Sequence, residues 1–399
     1  MDFTATRTTC EQTGFFSKII LDYLKGDERL RPFYNHPVSL EGIRAAIEER
    51  KKYPASRELL VQQLKKKYEG IAATAGVKTN IDLLLSENTF TITTAHQPNI
   101  FTGHLYFIYK IVHAIRLANY LKTEIPAYDF VPVFYMGSED ADLEELGHVY
   151  INGGKHEWRT NQTGAVGRMK VDKALIKLLD EIAGEISVQP SGKEIISLVK
   201  DCYTEGATIE EATFRLVNAL FGEYGLIVLL PDDPELKRAF IPVAEKELKE
   251  EFSHPLVEQT ASLFPKEYKV QASGREINLF YLRDNIRERI EKQKDQYSVL
   301  NTQYSFSEKE LLSEVSSNPD RFSPNVILRP VFQEMILPDI AFIGGGGEVA
   351  YWLELKRVFE AVHVPFPVLV LRNSFLVVEK KQQELMNKLG LDPHSLFKP

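Results

Sequence analysis

The sequence predicts an α/β protein: a Rossmann-like, doubly wound parallel sheet with inserted α+β connecting modules and an N-terminal helical region. Three observations predict it. TFTITTA (Thr89 to Ala95) and FVPVFYMG (Phe130 to Gly137) are short apolar or β-branched runs joined by a loop and a helix-periodic stretch, which is one βαβ unit. DIAFIGGGGEVAYWLELKRVFEAV then repeats the order strand, glycine loop, helix, and FPVLVL follows as a last apolar strand. No repeat of 20–50 residues is visible, which excludes solenoids and propellers.

In chain order, residues 1–87 read as helical. FFSKIILDYL, SLEGIRAAIEER and SRELLVQQLKKKYEG carry apolar residues at three- and four-residue steps, and AGVKTN reads as a turn. Residues 88–150 form the first half of the core, with LYFIYKIVHAIRLANYLK as its crossover helix of about five turns. Residues 151–324 read as inserted modules around a core strand near 225–232. HVYINGGKHEWR and AVGRMKV suggest short antiparallel strands, and KALIKLLDEIAGEI, KEIISLVKDCY and TIEEATFRLVNALFGEYG are helices. One helix is expected from about Pro234 to Glu251. KVQAS, INLFYLRD and QYSVLN suggest a small β-rich insertion, and Ser307 with Glu310 fits a capping box. Residues 325–375 form the second half of the core, and 376–399 begin a C-terminal helix.

Composition narrows the function. Of 399 residues, 48 are Lys or Arg and 56 are Asp or Glu, a net charge of −8, so no general attraction to nucleic acid or anionic membrane operates. The apolar runs are too short for a membrane helix, and the N-terminus lacks a signal-peptide layout. Two cysteines, Cys10 and Cys202, fit free thiols in a reducing compartment, and no structural metal is expected. These points favour a cytoplasmic location.

Three loops follow the predicted core strands, where open α/β sheets bind ligands. The first, HQPNIFTGH, sets Gly103 and His104 at the start of a long helix, whose free N–H groups favour phosphate or carboxylate; His96 and Gln97 stand close in sequence. Lys110, two turns on, is expected at the surface. The second, SEDADLEELGH, offers Glu139, Asp140, Asp142, Glu144 and Glu145 as base, ammonium ligand or Mg²⁺ site, with Ser138 as a helix cap. The third, Gly344, Gly345, Gly346 and Gly347 ahead of Glu348, allows close backbone approach to a ligand and matches neither a dinucleotide fingerprint nor a P-loop. Arg329, just upstream, is a candidate anion fork.

Taken together, TAHQPNIFTGHLYFIYK, VFYMGSEDADLEELGH, SPNVILRPVFQEMILPDIAFIGGGGEVAYW and VLVLRNSF resemble the bacterial cysteine-adding enzymes of bacillithiol biosynthesis, from about residue 10 to the end. The resemblance implies a Rossmann core akin to class I aminoacyl-tRNA synthetases. It implies a cytosolic amide-forming ligase that joins L-cysteine to glucosaminyl-malate, with ATP activating the carboxylate. It sets Gly103 and His104 where the synthetases end their HIGH motif, although the family more often has proline where His104 stands, and no KMSKS-like lysine loop is recognisable. On this reading Glu139, Asp140, Glu144 and Arg329 are the catalytic candidates, while Gln97, Gly103, His104, Gly344–Gly347 and Glu348 hold the nucleotide. The family continues into a C-terminal coiled coil through which a homodimer would form. SFLVVEKKQQELMNKLGL, with Val378, Leu385 and Leu389 on one seam, reads as its opening, so little order is expected beyond about Leu391. Two other classes compete: a different class I-like aminoacyl- or nucleotidyl-transferase, and a non-enzymatic interaction protein that keeps the fold.

Overall fold

The computed structural model describes residues 4–272, 274–294 and 296–397. Its centre is a five-stranded parallel sheet of β1 (Thr89–His96), β2 (Asp129–Met136), β3 (Ile227–Leu229), β4 (Asp339–Gly344) and β5 (Val368–Leu371). The spatial order is β5-β4-β1-β2-β3, the doubly wound arrangement. Nearly every residue of these strands is buried, because helices cover both faces, and that is why they read as continuous apolar runs. Some of the polar exceptions pair across strands, whereas the Thr89 hydroxyl has no partner among the described residues. Thr91 and Thr93 hydroxyls donate to Asp339 at the start of β4, at 2.8 and 2.6 Å. Burial, with Glu334 beside it, pushes the Asp339 carboxyl well above its usual range.

Helix α1 (Leu105–Glu124) makes the crossover from β1 to β2, burying Phe107, Ile111, Ala114 and Ala118 at helical steps. The N-terminal helices join the same core as the sheet: Ile19, Ile20 and Tyr23 pack into it, and the Tyr23 hydroxyl donates to the Leu369 carbonyl of β5 at 2.7 Å. The helices Lys173–Ile186, Gly192–Cys202 and Ile209–Phe221 bury a smaller core of their own. An antiparallel sheet, in the order 322–324, 279–283, 286–293, 296–299, 305–307, forms the β-rich insertion. The capping box at Ser307 and Glu310 is present.

Several local expectations need correction. AGVKTN is not a turn: Thr74 caps a helix, Ala75–Leu83, that buries Val77 and Ile81. AVGRMKV holds a 3-10 turn at Val166–Arg168 instead of a strand. Pro234–Glu251 divides into helices Pro234–Arg238 and Ile241–Glu250. KVQAS forms no strand among its described residues, whereas IRERIEKQ, Ile286–Gln293, does. The terminal helix Lys380–Leu389 leaves Leu385 and Leu389 exposed. Beyond Leu391 the chain forms a turn at Pro393–Phe397, whose Phe397 ring meets Phe15 edge-on, and residues 398 and 399 lie outside the described residues. Both cysteines are free thiols. Among the described residues no helix is long and apolar enough to cross a membrane.

Candidate functional site

From β1 the chain winds outward one way through β2 and β3, and from β4 it winds the other way to β5. The switch point therefore lies between the carboxyl ends of β1 and β4, where a crevice must open. A cavity of about 470 Å³ opens there, walled by the ends of β1, β2 and β4 and by residues of the antiparallel insertion.

One wall is the glycine loop. Gly344 ends β4, Gly345 caps the short helix α2 (Gly346–Trp352), and Gly345, Gly346 and Gly347 line the cavity. None of the four has a positive φ, so the loop does not use them for left-handed backbone. At Gly344 the constraint is spatial. A Cβ on Gly344 would stand 2.9 Å from Phe342 Cε1, so only glycine fits there. A Cβ on Gly345 would make ordinary contacts with Glu348 and Arg372.

Behind the loop, Lys110 is buried, not at the surface as expected. Its ammonium donates to the Ala95 carbonyl of β1 at 2.5 Å and to both Glu348 oxygens at 2.7 and 2.8 Å. Glu348 Oε2 also accepts the Gly345 N–H at 2.8 Å. Burial alone would raise the Glu348 pKa, but the Lys110 charge, together with that N–H, outweighs it and holds the carboxyl below its usual range. This pair clamps β1, α1 and the glycine loop together. His96, beside it, is held neutral: burial, then the Lys110 charge, brings its pKa down to about 4.

The same wall carries two guanidinium groups without a carboxylate partner among the described residues. Arg329 lies over the Tyr135 ring and donates to Gln333 Oε1 and the Tyr351 hydroxyl at 3.1 and 3.2 Å. Arg372, just past β5, lies over Tyr106 and donates to the Asn373 carbonyl and the Ser374 hydroxyl. Both line the cavity.

The opposite wall is acidic, from Glu139, Asp140 and Glu145. Glu139 is buried against the Lys237 ammonium, which also sits 3.3 Å from Asp232; Arg168 completes the cluster through a two-point pair with Asp232 at 2.6 and 2.7 Å. Burial still raises the Glu139 pKa. Asp140 accepts from Gln97 Nε2 at 3.0 Å and from the Ala141 N–H at 2.7 Å, which joins the first loop to the second. The Glu145 carboxylate accepts no hydrogen bond among the described residues, and burial, with Asp142 and Asp140 nearby, raises its pKa. Ser138 is not the helix cap: Asp142 is, accepting the Glu145 N–H at 3.0 Å.

Thus Gln97, Glu139, Asp140, Arg329, Gly345, Gly346, Gly347 and Glu348 gather around one cavity. Gly103, His104 and Glu144 do not line it. His104 is exposed and stacks on Tyr106 and Tyr150, and α1 begins one residue after it. Glu144 faces solvent. Ahead of α1, Phe101, Thr102 and Gly103 all have positive φ, a compact turn held by Phe101 packing on Tyr203. Sequence reasoning missed Arg372 and Arg287, and it offered Glu145 among the loop carboxylates without choosing it as a catalytic candidate. Alternating I-R-E-R-I was the available signal for the strand that carries Arg287. Among the described residues no three His, Cys, Asp or Glu side chains gather as a metal site requires.

Comparison with known proteins agrees with this architecture. Residues 1–373 match the family model for the bacillithiol biosynthesis BshC N-terminal Rossmann-like domain. A Flavobacterium johnsoniae protein named "Putative cysteine ligase BshC" is 44% identical over 389 residues, covering 97% of this chain and 73% of its own length. Proteins of the same name from Cytophaga hutchinsonii and Natranaerobius thermophilus are 41% and 28% identical, covering 99% and 96% of this chain and 74% and 73% of their own lengths.

Proposed function

The chain belongs to the BshC family of bacillithiol biosynthesis, and on that premise we propose that it is a ligase joining L-cysteine to the amine of glucosaminyl-malate, with ATP as the activating co-substrate. The observation that carries the reading is the polarity of the cavity: guanidinium groups without carboxylate partners beside the glycine loop, and carboxylates on the facing wall.

A carboxylate does not condense with an amine unaided, because its oxygen is a poor leaving group. A cysteine carboxylate oxygen attacks phosphorus of ATP, a phosphoanhydride bond breaks, and an acyl phosphate-type anhydride results. The acceptor amine then attacks the acyl carbon, the amide C–N bond forms, the phosphate-bearing oxygen leaves, and one proton leaves the nitrogen. Arg329 and Arg372 suit the first step, since guanidinium donors stabilise the negative charge gathering on the phosphate. The Gly345–Gly347 backbone allows that group to approach without meeting a side chain. Asp140 and Glu145 suit the second step. An ionised carboxylate near the amine orients it and accepts its proton, and the Glu145 carboxylate, which has no hydrogen-bond partner among the described residues, is free to do so. Glu139, locked to Lys237, fixes the acidic wall instead.

The test is mass spectrometry of the protein incubated with cysteine, glucosaminyl-malate and ATP, and with each omitted in turn. A cysteinyl mass gain on the acceptor, lost without ATP, is the expected result. No such gain under any condition refutes the ligase reading, and a gain that persists without ATP refutes the activation step alone.

A further inference from the structure

The antiparallel insertion reaches into the core cavity with side chains that make no hydrogen bond among the described residues. Arg287, on the strand Ile286–Gln293, lines the cavity with a side chain only 14% exposed, and it donates no hydrogen bond to any described residue. Its nearest carboxylate, Asp140, is 3.9 Å away and already accepts from Gln97 and two backbone N–H groups. The guanidinium instead lies 3.9 Å over the Phe280 ring, which holds it in one plane. Ser323 stands in register with Phe280 on the next strand, so its side chain shares the face that carries Phe280 and Arg287. Ser323 is fully buried, lines the same cavity, and its hydroxyl has no partner.

A buried guanidinium with idle donors is costly, and burial lowers the Arg287 pKa accordingly. An arriving oxyanion removes that cost, since a planar fork and a hydroxyl are complementary to carboxylate or phosphate oxygens. A second opening of about 620 Å³ also borders Arg287, lined by Glu288 and by uncharged polar side chains such as Asn301, Thr302 and Gln303. An anionic group held by Arg287 would leave mostly polar walls beside it for a hydroxyl-rich remainder.

We propose that Arg287 and Ser323 form an oxyanion-binding subsite contributed by the inserted sheet, which takes a carboxylate of the acceptor or a phosphate of the nucleotide. The ligase reading is needed only to name these two sources. Calorimetry of the full chain with L-malate and, separately, with pyrophosphate distinguishes them. Wild type is expected to bind at least one probe, and Arg287→Gln to bind that probe about tenfold more weakly or worse, the usual loss for a charge-assisted hydrogen bond. The probe that weakens names the source. Ser323→Ala should weaken the same probe less, with an unchanged melting temperature. Should Arg287→Gln fail to fold, Ser323→Ala and Arg287→Lys carry the test, the lysine variant losing the fork but keeping the charge. The proposal is overturned if wild type binds neither probe at millimolar concentration, or if every folded variant binds both as wild type does. These binding readouts need no turnover. A protein that forms no cysteinyl product refutes the ligase reading and leaves the subsite intact, whereas product formed at the wild-type rate by Arg287→Gln refutes the subsite alone.

Discussion

Replacing Lys110 by methionine tests whether the Lys110–Glu348 pair holds the site together. Lys110 is 3% exposed and Glu348 28%, so the variant leaves a carboxylate largely buried beside an apolar chain. Removing one partner of a fully buried pair costs about 3–5 kcal/mol. Glu348 faces the cavity in part and keeps the Gly345 N–H, which lowers the expected loss to about 2–3 kcal/mol. The Ala95 carbonyl, deprived of its donor, is included in that figure. Urea unfolding of wild type, Lys110→Met, Glu348→Gln and the double variant measures the coupling. The double variant should fall short of the summed single losses by at least about 1 kcal/mol, since both remove one interaction. The pH dependence has a definite sign. Glu348 is depressed below its reference of 4.5, so its stabilisation is present above that value and is lost as pH falls through the depressed one. The gap between wild type and Lys110→Met should therefore close in acid. Additive losses, or a gap independent of pH down to the acid limb, refute the clamp.

Gly345→Val should keep the fold, because a Cβ there meets only ordinary contacts, yet lose nucleotide binding as its methyl groups enter the cavity; calorimetry beside a melting curve separates the two. Arg329→Gln should lower product formation about 10²-fold or more, the scale for losing a charge-stabilising donor, whereas His104→Ala, outside the cavity, should lose less than about tenfold. An equal loss in the two variants counts against this placement of the chemistry. For His96, the unfolded chain binds a proton near pH 6.5 and the folded chain only near 4, so stability should drop as pH falls between those values, by no more than about 3 kcal/mol. His96→Gln should flatten that limb, and an unchanged slope means another group causes it.

The core strands were legible in the sequence because a parallel sheet covered on both faces needs unbroken apolar runs, and FVPVFYM and DIAFIG have no other home. The loops after them were legible for the same reason, since a doubly wound sheet can open only at its carboxyl edge. What failed was everything decided by a partner far along the chain. Lys110 looks solvated from its own helix, and only Glu348, 238 residues away, explains its burial. Glu144 and Glu145 are indistinguishable as letters; both are exposed on the four-residue helix capped by Asp142, and only Glu145 borders the cavity. AGVKTN carries glycine and asparagine that favour a turn, but Val77 and Ile81 on one face secure a helix through burial, a tertiary gain that propensity does not contain.

Arg287 shows the same limit at the scale of modules. Along IRERIEKQ each arginine reads as an exposed strand residue balanced by a neighbouring glutamate. The alternation does assign Arg287 and Arg289 to one face, but which face meets the core depends on how residues 322–324 return to pair with 279–281. That return places Ser323 beside Phe280 and turns the face toward β2 and the acidic loop. The insertion interrupts the Rossmann chain between β3 and β4, the two strands farthest apart in order among consecutive core strands, so its excursion spans the carboxyl edge of the sheet. An element there can add donors to the crevice without disturbing any core strand, and this is why chemistry absent from the core sequence can enter from a segment whose own composition looks like ordinary surface.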